Sequence, residues 1–250
     1  AVRLEIQGKL KTPAVKALRA QLGLSREQVF WSNCPLSFDY VWQLTDSLSD
    51  VPALFYPPHI PRMPAALAPP VLPRVLSQDC LLHYPYESMS PFLHLLEEAA
   101  RDPDTFSLQL TVYRVARQSR LLPCLVEAAQ NGKSVTVVFE LRARFDEQNN
   151  IEWAERLEAA GCRVLYGIQG IKCHAKLCLI TRSVGGKTQY ITQIGTGNYN
   201  EKTAAQYTDL CLITADQQIG ADAAAIFDSL SRGVAETRCQ VLLASPTGIR

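Results

Sequence analysis

The residues best suited to chemistry are a histidine and a lysine two positions apart. His174 and Lys176 lie in Gly170-Ile171-Lys172-Cys173-His174-Ala175-Lys176, directly before an apolar run. Side chains alternate along a strand, so both would point to the same face. An ammonium group beside an imidazole favours the neutral, nucleophilic form of the ring and suits an anionic substrate. A packing role is the alternative for this pair taken alone.

A second candidate element is the glycine-containing segment at residues 194–200, which follows a predicted strand. Gly195 and Gly197 would allow the backbone to approach a ligand closely, and Asn198 adds a polar side chain. The segment lacks the third glycine of a dinucleotide fingerprint, and it is not a P-loop. An ordinary tight turn is the alternative interpretation.

Arginines follow two predicted strands at their carboxyl ends, where sheets of this kind bind their ligands. Arg114 follows the first of these strands, and Arg142 and Arg144 follow the next. A guanidinium group can hold phosphate oxygens in bidentate fashion. Either set of arginines alone could simply lie on the solvated surface. Together with the lysines and glycines above, they predict an anion-binding site.

The other three histidines, His59, His83 and His94, are interpreted as packing or surface residues. Phosphate contact by His83 is the minority alternative, because it lies in a polar, aromatic loop that enters a helix.

Composition indicates an ordinary globular protein, with 47% hydrophobic and 20% charged residues. The formal net charge of +1 provides no whole-molecule attraction for nucleic acid, and no nucleic-acid partner is expected. No apolar run approaches the ~18 residues of a membrane span. The eight cysteines have no C-x-x-C spacing, which predicts buried free thiols in a reducing cytoplasm.

The pattern along the chain divides it into four segments. Residues 1–50 are interpreted as the remnant of a small α+β domain. Residues 51–78 are interpreted as an extended, proline-rich linker, since residues 51–75 hold eight of the 15 prolines. Residues 79–238 alternate strand and helix, which predicts an α/β domain with a mixed, mostly parallel sheet and helices on both faces. Within it, residues 176–181 and 189–193 are predicted to form a strand pair joined through Gly185 and Gly186. Residues 239–250 would begin another domain, and both ends are expected to be cut from a longer chain.

Seven motifs, in this order and spacing, resemble the central catalytic domain of bacterial, histidine-phosphorylating polyphosphate kinases. They are His83-Tyr84-Pro85-Tyr86-Glu87-Ser88, Tyr113-Arg114, Ala143-Arg144-Phe145-Asp146-Glu147, Asn150-Ile151-Glu152-Trp153-Ala154, His174-Ala175-Lys176, Gly195-Thr196-Gly197-Asn198-Tyr199-Asn200 and Tyr207-Thr208-Asp209. The likeness extends from about residue 79 to residue 216. Residues 1–75 more loosely resemble the end of the family's head domain.

This resemblance implies residue roles. His174 falls on the histidine that is phosphorylated, with Lys176 beside it, and Tyr207 falls on a tyrosine that contacts ATP. Arg114 and Arg144 fall on two arginines of the phosphate and magnesium site. Since a guanidinium group has no lone pair to offer a metal, we expect both to hold phosphate oxygens that Mg²⁺ also touches.

The resemblance also implies an activity and a setting. The family reversibly transfers the terminal phosphate of ATP to inorganic polyphosphate, leaving ADP. Its members are homo-oligomers, and a second catalytic domain contributes a second histidine, so this chain alone is expected to be inactive. The resemblance implies a cytoplasmic location, with peripheral attachment to the inner membrane as an alternative.

The implied fold is phospholipase D-like, but the phosphodiesterase motif of that fold is broken here. Thr181 stands where the motif His-x-Lys-x4-Asp requires aspartate. A phospholipase D-like phosphodiesterase and a non-catalytic module that binds nucleotide or polyphosphate remain the alternatives.

Overall fold

The chain divides into two units, residues 1–58 and residues 59–250. The structure is a computed structural model that describes residues 2–10, 12–113, 116, 119–140, 147–168, 170–246 and 248. The assignment of the predicted segments to a head domain, a linker and two catalytic domains stays a prediction.

The first unit is a small α+β arrangement. Its elements are β1 (Leu4–Gln7), α1 (Thr12–Gln21), β2 (Val29–Ser32) and α2 (Tyr40–Ser47), with 3-10 turns at Arg26–Gln28 and Pro52–Leu54. The two strands pair in parallel. Ile6, Val15 and Leu24 are the buried apolar residues of this unit among those described.

The proline-rich segment is extended only in part. It contains a 3-10 turn at Ala65–Leu67 and a helix, α3 (Leu72–Ser77). Val71 and Val75, one helical turn apart, are fully buried in the core of the second unit. Pro73 lies in the first turn of the helix, where its missing N–H removes no hydrogen bond. The expectation of an extended segment therefore fails for residues 72–77.

The described part of the second unit is built on a seven-stranded sheet in the order β3-β9-β8-β7-β4-β5-β6. The strands are β3 (Cys80–Tyr84), β4 (Thr105–Val112), β5 (Ser134–Phe139), β6 (Arg163–Leu165), β7 (Leu177–Val184), β8 (Lys187–Gly195) and β9 (Asp209–Thr214). The helices are α4 (Ser90–Arg101), α5 (Leu121–Gln130), α6 (Glu147–Ala159), α7 (Glu201–Ala204) and α8 (Gln217–Ser231). Within the described ranges, no helix has both the length and the apolar character that a bilayer crossing requires.

The prediction of a mixed α/β sheet is confirmed, but within the described seven-stranded sheet parallel pairing is confined to β4, β5 and β6. The other described pairs of this sheet are antiparallel, so fewer of its strands pair in parallel than expected. The predicted hairpin through Gly185 and Gly186 explains part of this difference. Both glycines have positive φ, and such a tight turn can join only antiparallel strands.

Helices cover both faces of the sheet, as predicted. On β7, Cys178 and Ile180 face one hydrophobic cluster, which contains residues of α4, α5 and α6. The alternate residues Leu177 and Leu179 face a second cluster, which contains Phe227 of α8. This alternation is that of a strand buried on both sides, and it anchors the segment that precedes β7.

All eight cysteines are free. Five of them are buried, as predicted, whereas Cys34 is exposed and Cys173 and Cys239 are partly exposed. Burial raises the pKa of the Cys124 and Cys162 thiols to about 11, which keeps these two thiols protonated and poorly reactive.

Candidate functional site

The structure brings the predicted histidine and lysine into contact. The Nζ atom of Lys176 lies 3.0 Å from Nε2 of His174 and donates to the His174 carbonyl oxygen at 2.6 Å. Both residues precede β7, which begins at Leu177, so the expectation that they lie on a strand is wrong. They meet because the lysine side chain reaches back over one residue.

Lys176 is only 5% exposed. Burial lowers the pKa of its ammonium group to about 8, although the nearby Asp209 carboxylate and Cys173 act in the opposite direction. The charged form is disfavoured because the interior cannot replace its hydration. A phosphoryl group that reached Nε2 of His174 would lie beside this poorly hydrated ammonium group, which could offset the charge on its oxygens.

An aromatic ring organises the positive charges around the histidine. The Tyr113 ring meets the His174 ring edge to face, with centroids 4.8 Å apart and planes at 83°. The Nζ atoms of Lys172 and Lys176 lie 5.2 and 5.5 Å from the Tyr113 ring centroid. Cations at this distance are attracted to a ring face. Sequence analysis missed Tyr113 as a site residue, although its position next to Arg114 was a signal.

The end of β8 supports the pair from the other side. The Gly195 amide donates to the Lys176 carbonyl oxygen at 3.0 Å. A Cβ atom at Gly195 would lie 2.9 Å from the Gln193 side chain. The absence of a side chain at Gly195 therefore makes room for the Gln193 side chain. It also leaves the Gly195 backbone open to the adjacent cleft.

Gly197 makes a tighter approach, to a carboxylate that sequence analysis did not select. A Cβ atom there would lie 2.6 Å from Oδ2 of Asp209. Oδ1 of Asp209 accepts a hydrogen bond from the Thr196 hydroxyl at 2.7 Å, and that hydroxyl accepts from the Leu210 amide at 2.9 Å. Asp209 is thus fixed close enough to Lys176 to influence its pKa. Its place in the Tyr207-Thr208-Asp209 motif was the available signal.

Asn198 and Tyr207 differ in their surroundings. The Oδ1 atom of Asn198 is buried and has no hydrogen-bond partner among the described residues, so it can accept a hydrogen bond from a ligand. Tyr207 is 61% exposed, and none of its described contacts reaches the His174 pair. Its contact with a nucleotide stays a prediction.

The predicted arginines, Arg114 and Arg144, lie outside the described residues. Over the described ranges, no three His, Cys, Asp or Glu side chains converge as a metal site. The surroundings of His174 instead carry the two ammonium groups near Tyr113, which repel a free cation. These groups fit Mg²⁺ only if it arrives bound to phosphate oxygens, and such a magnesium site stays a prediction.

A cleft of about 720 Å³ gives access to the pair. One wall consists of described residues of the 168–177 segment together with Ile194 and Gly195. The rest of the lining is mostly apolar and comes from α8 and the tail that follows it, including Ile226 and Leu230. His174 and Lys176 therefore open onto a cavity large enough for a ligand.

A carboxylate on α8 holds the tail against the helix. Asp222 accepts hydrogen bonds from the backbone amides of Gln240, Val241 and Leu242 at 2.7–3.0 Å. Burial of this carboxyl group raises its pKa, but the hydrogen bonds from the three amides lower the pKa by a larger amount. The net pKa of Asp222 is therefore below its usual value. Asp222 thus fixes the tail whose following residues line the cleft.

This geometry defines a class of protein: an α/β domain with a histidine site beside a cleft and ammonium groups around the histidine. The family model "Polyphosphate kinase C-terminal domain 1" matches residues 70–236. The chain belongs to the polyphosphate kinase family.

Relatives and a solved structure agree with this assignment. The polyphosphate kinase of Staphylococcus haemolyticus is 40% identical over 253 residues, covering 100% of this chain and 35% of the relative. The polyphosphate kinase of Paraburkholderia phytofirmans is 46% identical over 253 residues, covering 98% of this chain and 36% of the relative. The crystal structure of the Porphyromonas gingivalis polyphosphate kinase matches with a TM-score of 0.74 at 32% identity, covering 95% of this chain and 36% of that chain. The chain thus spans about a third of the length of these proteins.

Proposed function

We propose that this chain carries the phosphate-accepting histidine, His174, of a polyphosphate kinase. The enzyme would transfer the terminal phosphate of ATP reversibly to inorganic polyphosphate. The observation that carries the proposal is the 3.0 Å contact between Nε2 of His174 and Nζ of Lys176 in the lining of a cleft. Membership of the polyphosphate kinase family supports the choice of substrates.

The reaction would proceed in two displacements. In the first, a ring nitrogen of His174 forms a bond to the γ-phosphorus of ATP while the bond to the bridging oxygen of ADP breaks. In the second, a terminal oxygen of polyphosphate attacks the same phosphorus, and the nitrogen–phosphorus bond breaks. Read backwards, the same steps make ATP from polyphosphate and ADP.

Lys176 would offset the negative charge of the transferring oxygens, and its burial makes each such contact stronger than it would be in water. Arg114 and Arg144 would hold further phosphate oxygens. Magnesium bound to the nucleotide would supply additional neutralisation of phosphate charge. Charge stabilisation and positioning dominate catalysis of phosphoryl transfer.

Steady turnover would require the rest of the enzyme. We propose that a second catalytic domain contributes a second histidine and that the full-length enzyme is a homo-oligomer. Each missing charge partner would cost about 10²–10³ in rate. We therefore expect this chain by itself to show little or no polyphosphate synthesis.

The phosphodiesterase alternative is disfavoured at one position. Thr181 replaces the aspartate that this chemistry requires, and it lies buried in β7, paired with Tyr190 of β8. A threonine hydroxyl cannot supply the carboxylate's charge.

The proposal is tested by incubating the chain with γ-labelled ATP and Mg²⁺, and in parallel with labelled polyphosphate. We expect acid-labile, base-stable label that disappears in His174→Ala and persists in His94→Ala, a histidine on α4. Undiminished label in His174→Ala would contradict the assignment. Nucleotide binding without label, unaffected by His174→Ala even with the rest of the enzyme present, would favour a binding module.

A further inference from the structure

A buried threonine on β4 holds the backbone on both sides of Lys176. Thr111 is 1% exposed. Its hydroxyl donates to the Ala175 carbonyl oxygen at 2.7 Å and accepts from the Leu177 amide at 3.1 Å. One side chain therefore satisfies a donor and an acceptor that flank the lysine.

The hydroxyl acts where the regular strand ladder stops. The pairing of β4 with β7 ends at Leu110 and Cys178, and Thr111 is the next residue along β4. Its side chain thus makes the hydrogen bonds to the 175–177 backbone where backbone pairing of the two strands has ended. Residues 172–176 have no strand pairing of their own, so this contact and the amide of Gly195 are what fix the lysine backbone from its two neighbouring strands.

A buried glutamate holds the same segment one residue before the histidine. Glu140 follows β5 and is 6% exposed. Its Oε2 atom accepts a hydrogen bond from the Cys173 amide at 3.0 Å. Since Cys173 directly precedes His174, this bond fixes the backbone from which the histidine projects.

The two supports are themselves tied together. Asn150 is fully buried, and its Nδ2 atom lies 3.1 Å from the Tyr113 carbonyl oxygen and 3.3 Å from that of Glu140. This amide group links the chain leaving β4 to the chain leaving β5. The backbone that carries Tyr113, which packs on His174, is therefore joined to the backbone that carries Glu140.

We propose that Thr111 and Glu140 are positioning residues, which act through the backbone of residues 173–177 to set the contact between His174 and Lys176. Neither residue needs to touch a substrate. Their effect on phosphoryl transfer rests on the proposed function, whereas their effect on the geometry of the pair does not.

The Thr111 contact is tested with Thr111→Val, which keeps the shape but removes the hydroxyl, and with Thr111→Ser, which keeps the hydroxyl. NMR of the side-chain nitrogens would follow the titration of Lys176 in the folded chain. We expect a midpoint near pH 8 in the wild-type chain and in Thr111→Ser. In Thr111→Val the lysine should gain water, so its midpoint should move up, and its contact with the His174 ring should be lost.

Thr111→Ala is the second variant, in case valine prevents folding. A folded Val or Ala variant with the wild-type Lys176 midpoint and an intact His174 contact would overturn the role of Thr111. For Glu140, the matched pair is Glu140→Gln, which retains an acceptor oxygen, and Glu140→Met, which does not. Only Glu140→Met should shift the His174 ring signals, and equal spectra for the two would overturn its role.

The functional consequence is measured by labelling the same variants from ATP. We expect labelling of His174 to slow by about 10- to 100-fold in Thr111→Val and to recover in Thr111→Ser, as for a small misplacement of a reacting group. Unchanged labelling in a variant with a disrupted pair would overturn the catalytic consequence. A wild-type chain that stays unlabelled even with the rest of the enzyme present would count against the proposed function instead, and the titrations would still decide the positioning.

Discussion

At the residue scale, the properties of the site depend on a lysine that is buried without losing its role as a donor. Lys176 contacts both the ring and the carbonyl oxygen of His174. Burial lowers the pKa of Lys176, and the Asp209 carboxylate acts in the opposite direction. This carboxylate fits where it does because Gly197 has no side chain. The site therefore combines a cation that is partly stripped of water with a histidine that is held next to it.

The burial of Lys176 predicts a pH dependence of stability. Its pKa is about 8 in the folded chain against an ordinary 10.5, so the unfolded chain binds more protons between these values. The cost of burying the charge is fully present below pH 8 and is relieved as pH rises towards 10.5. Relative to Lys176→Met, the wild-type free energy of unfolding should rise by up to about 3 kcal/mol across this window.

Urea unfolding near pH 7 and pH 10.5 measures this difference, with Lys172→Met as a control for removing an exposed lysine from the same segment. A difference between the wild-type chain and Lys176→Met that is the same at both pH values would contradict the prediction.

At the element scale, the connection between β8 and β9 depends on the absence of a side chain at Gly197. Gly197→Ala would place a methyl group 2.6 Å from the Asp209 carboxylate, and such overpacking costs about 1–3 kcal/mol. We expect lower stability, measured by thermal unfolding. If the clash with Asp209 is the cause, the same change should cost clearly less in an Asp209→Ala background. An equal cost in both backgrounds would refute the explanation.

The contact between α8 and the tail gives a second prediction at this scale. Asp222→Asn removes the charge that collects the amides of Gln240, Val241 and Leu242. We expect amide hydrogen exchange at these three residues to accelerate by at least about tenfold, since hydrogen bonds to a charged acceptor contribute roughly 1.5–3 kcal/mol. Asp228→Asn, an exposed aspartate on the same helix paired with Arg232, is the control. Unchanged protection in Asp222→Asn would show that the tail is held by its apolar contacts.

At the scale of the whole molecule, local sequence signals predicted the elements better than their arrangement. The paired Gly185 and Gly186 predicted the β7–β8 hairpin, because a tight turn is encoded within a few residues. The pairing of β3 with β9 joins Cys80 to Ile213, and no local pattern specifies a contact over that distance. The direction of most strand pairs therefore could not be predicted.

The same limit applies to the site. His174 and Lys176 could be predicted because two residues of spacing bring them together. Thr111 and Glu140 could not, since an isolated threonine or glutamate in a strand-like run gives no sign of a partner 64 or 33 residues away. Only the folded sheet shows which backbone groups these side chains hold.

The most direct measurement is to locate the phosphoryl group. The chain would be labelled from ATP, first alone and then supplied with the rest of the enzyme. It would then be digested at alkaline pH, which preserves phosphohistidine, and its peptides would be sequenced by mass spectrometry. We expect the phosphate to lie on His174. Phosphate on another residue, or none even when the complete enzyme is supplied, would contradict it.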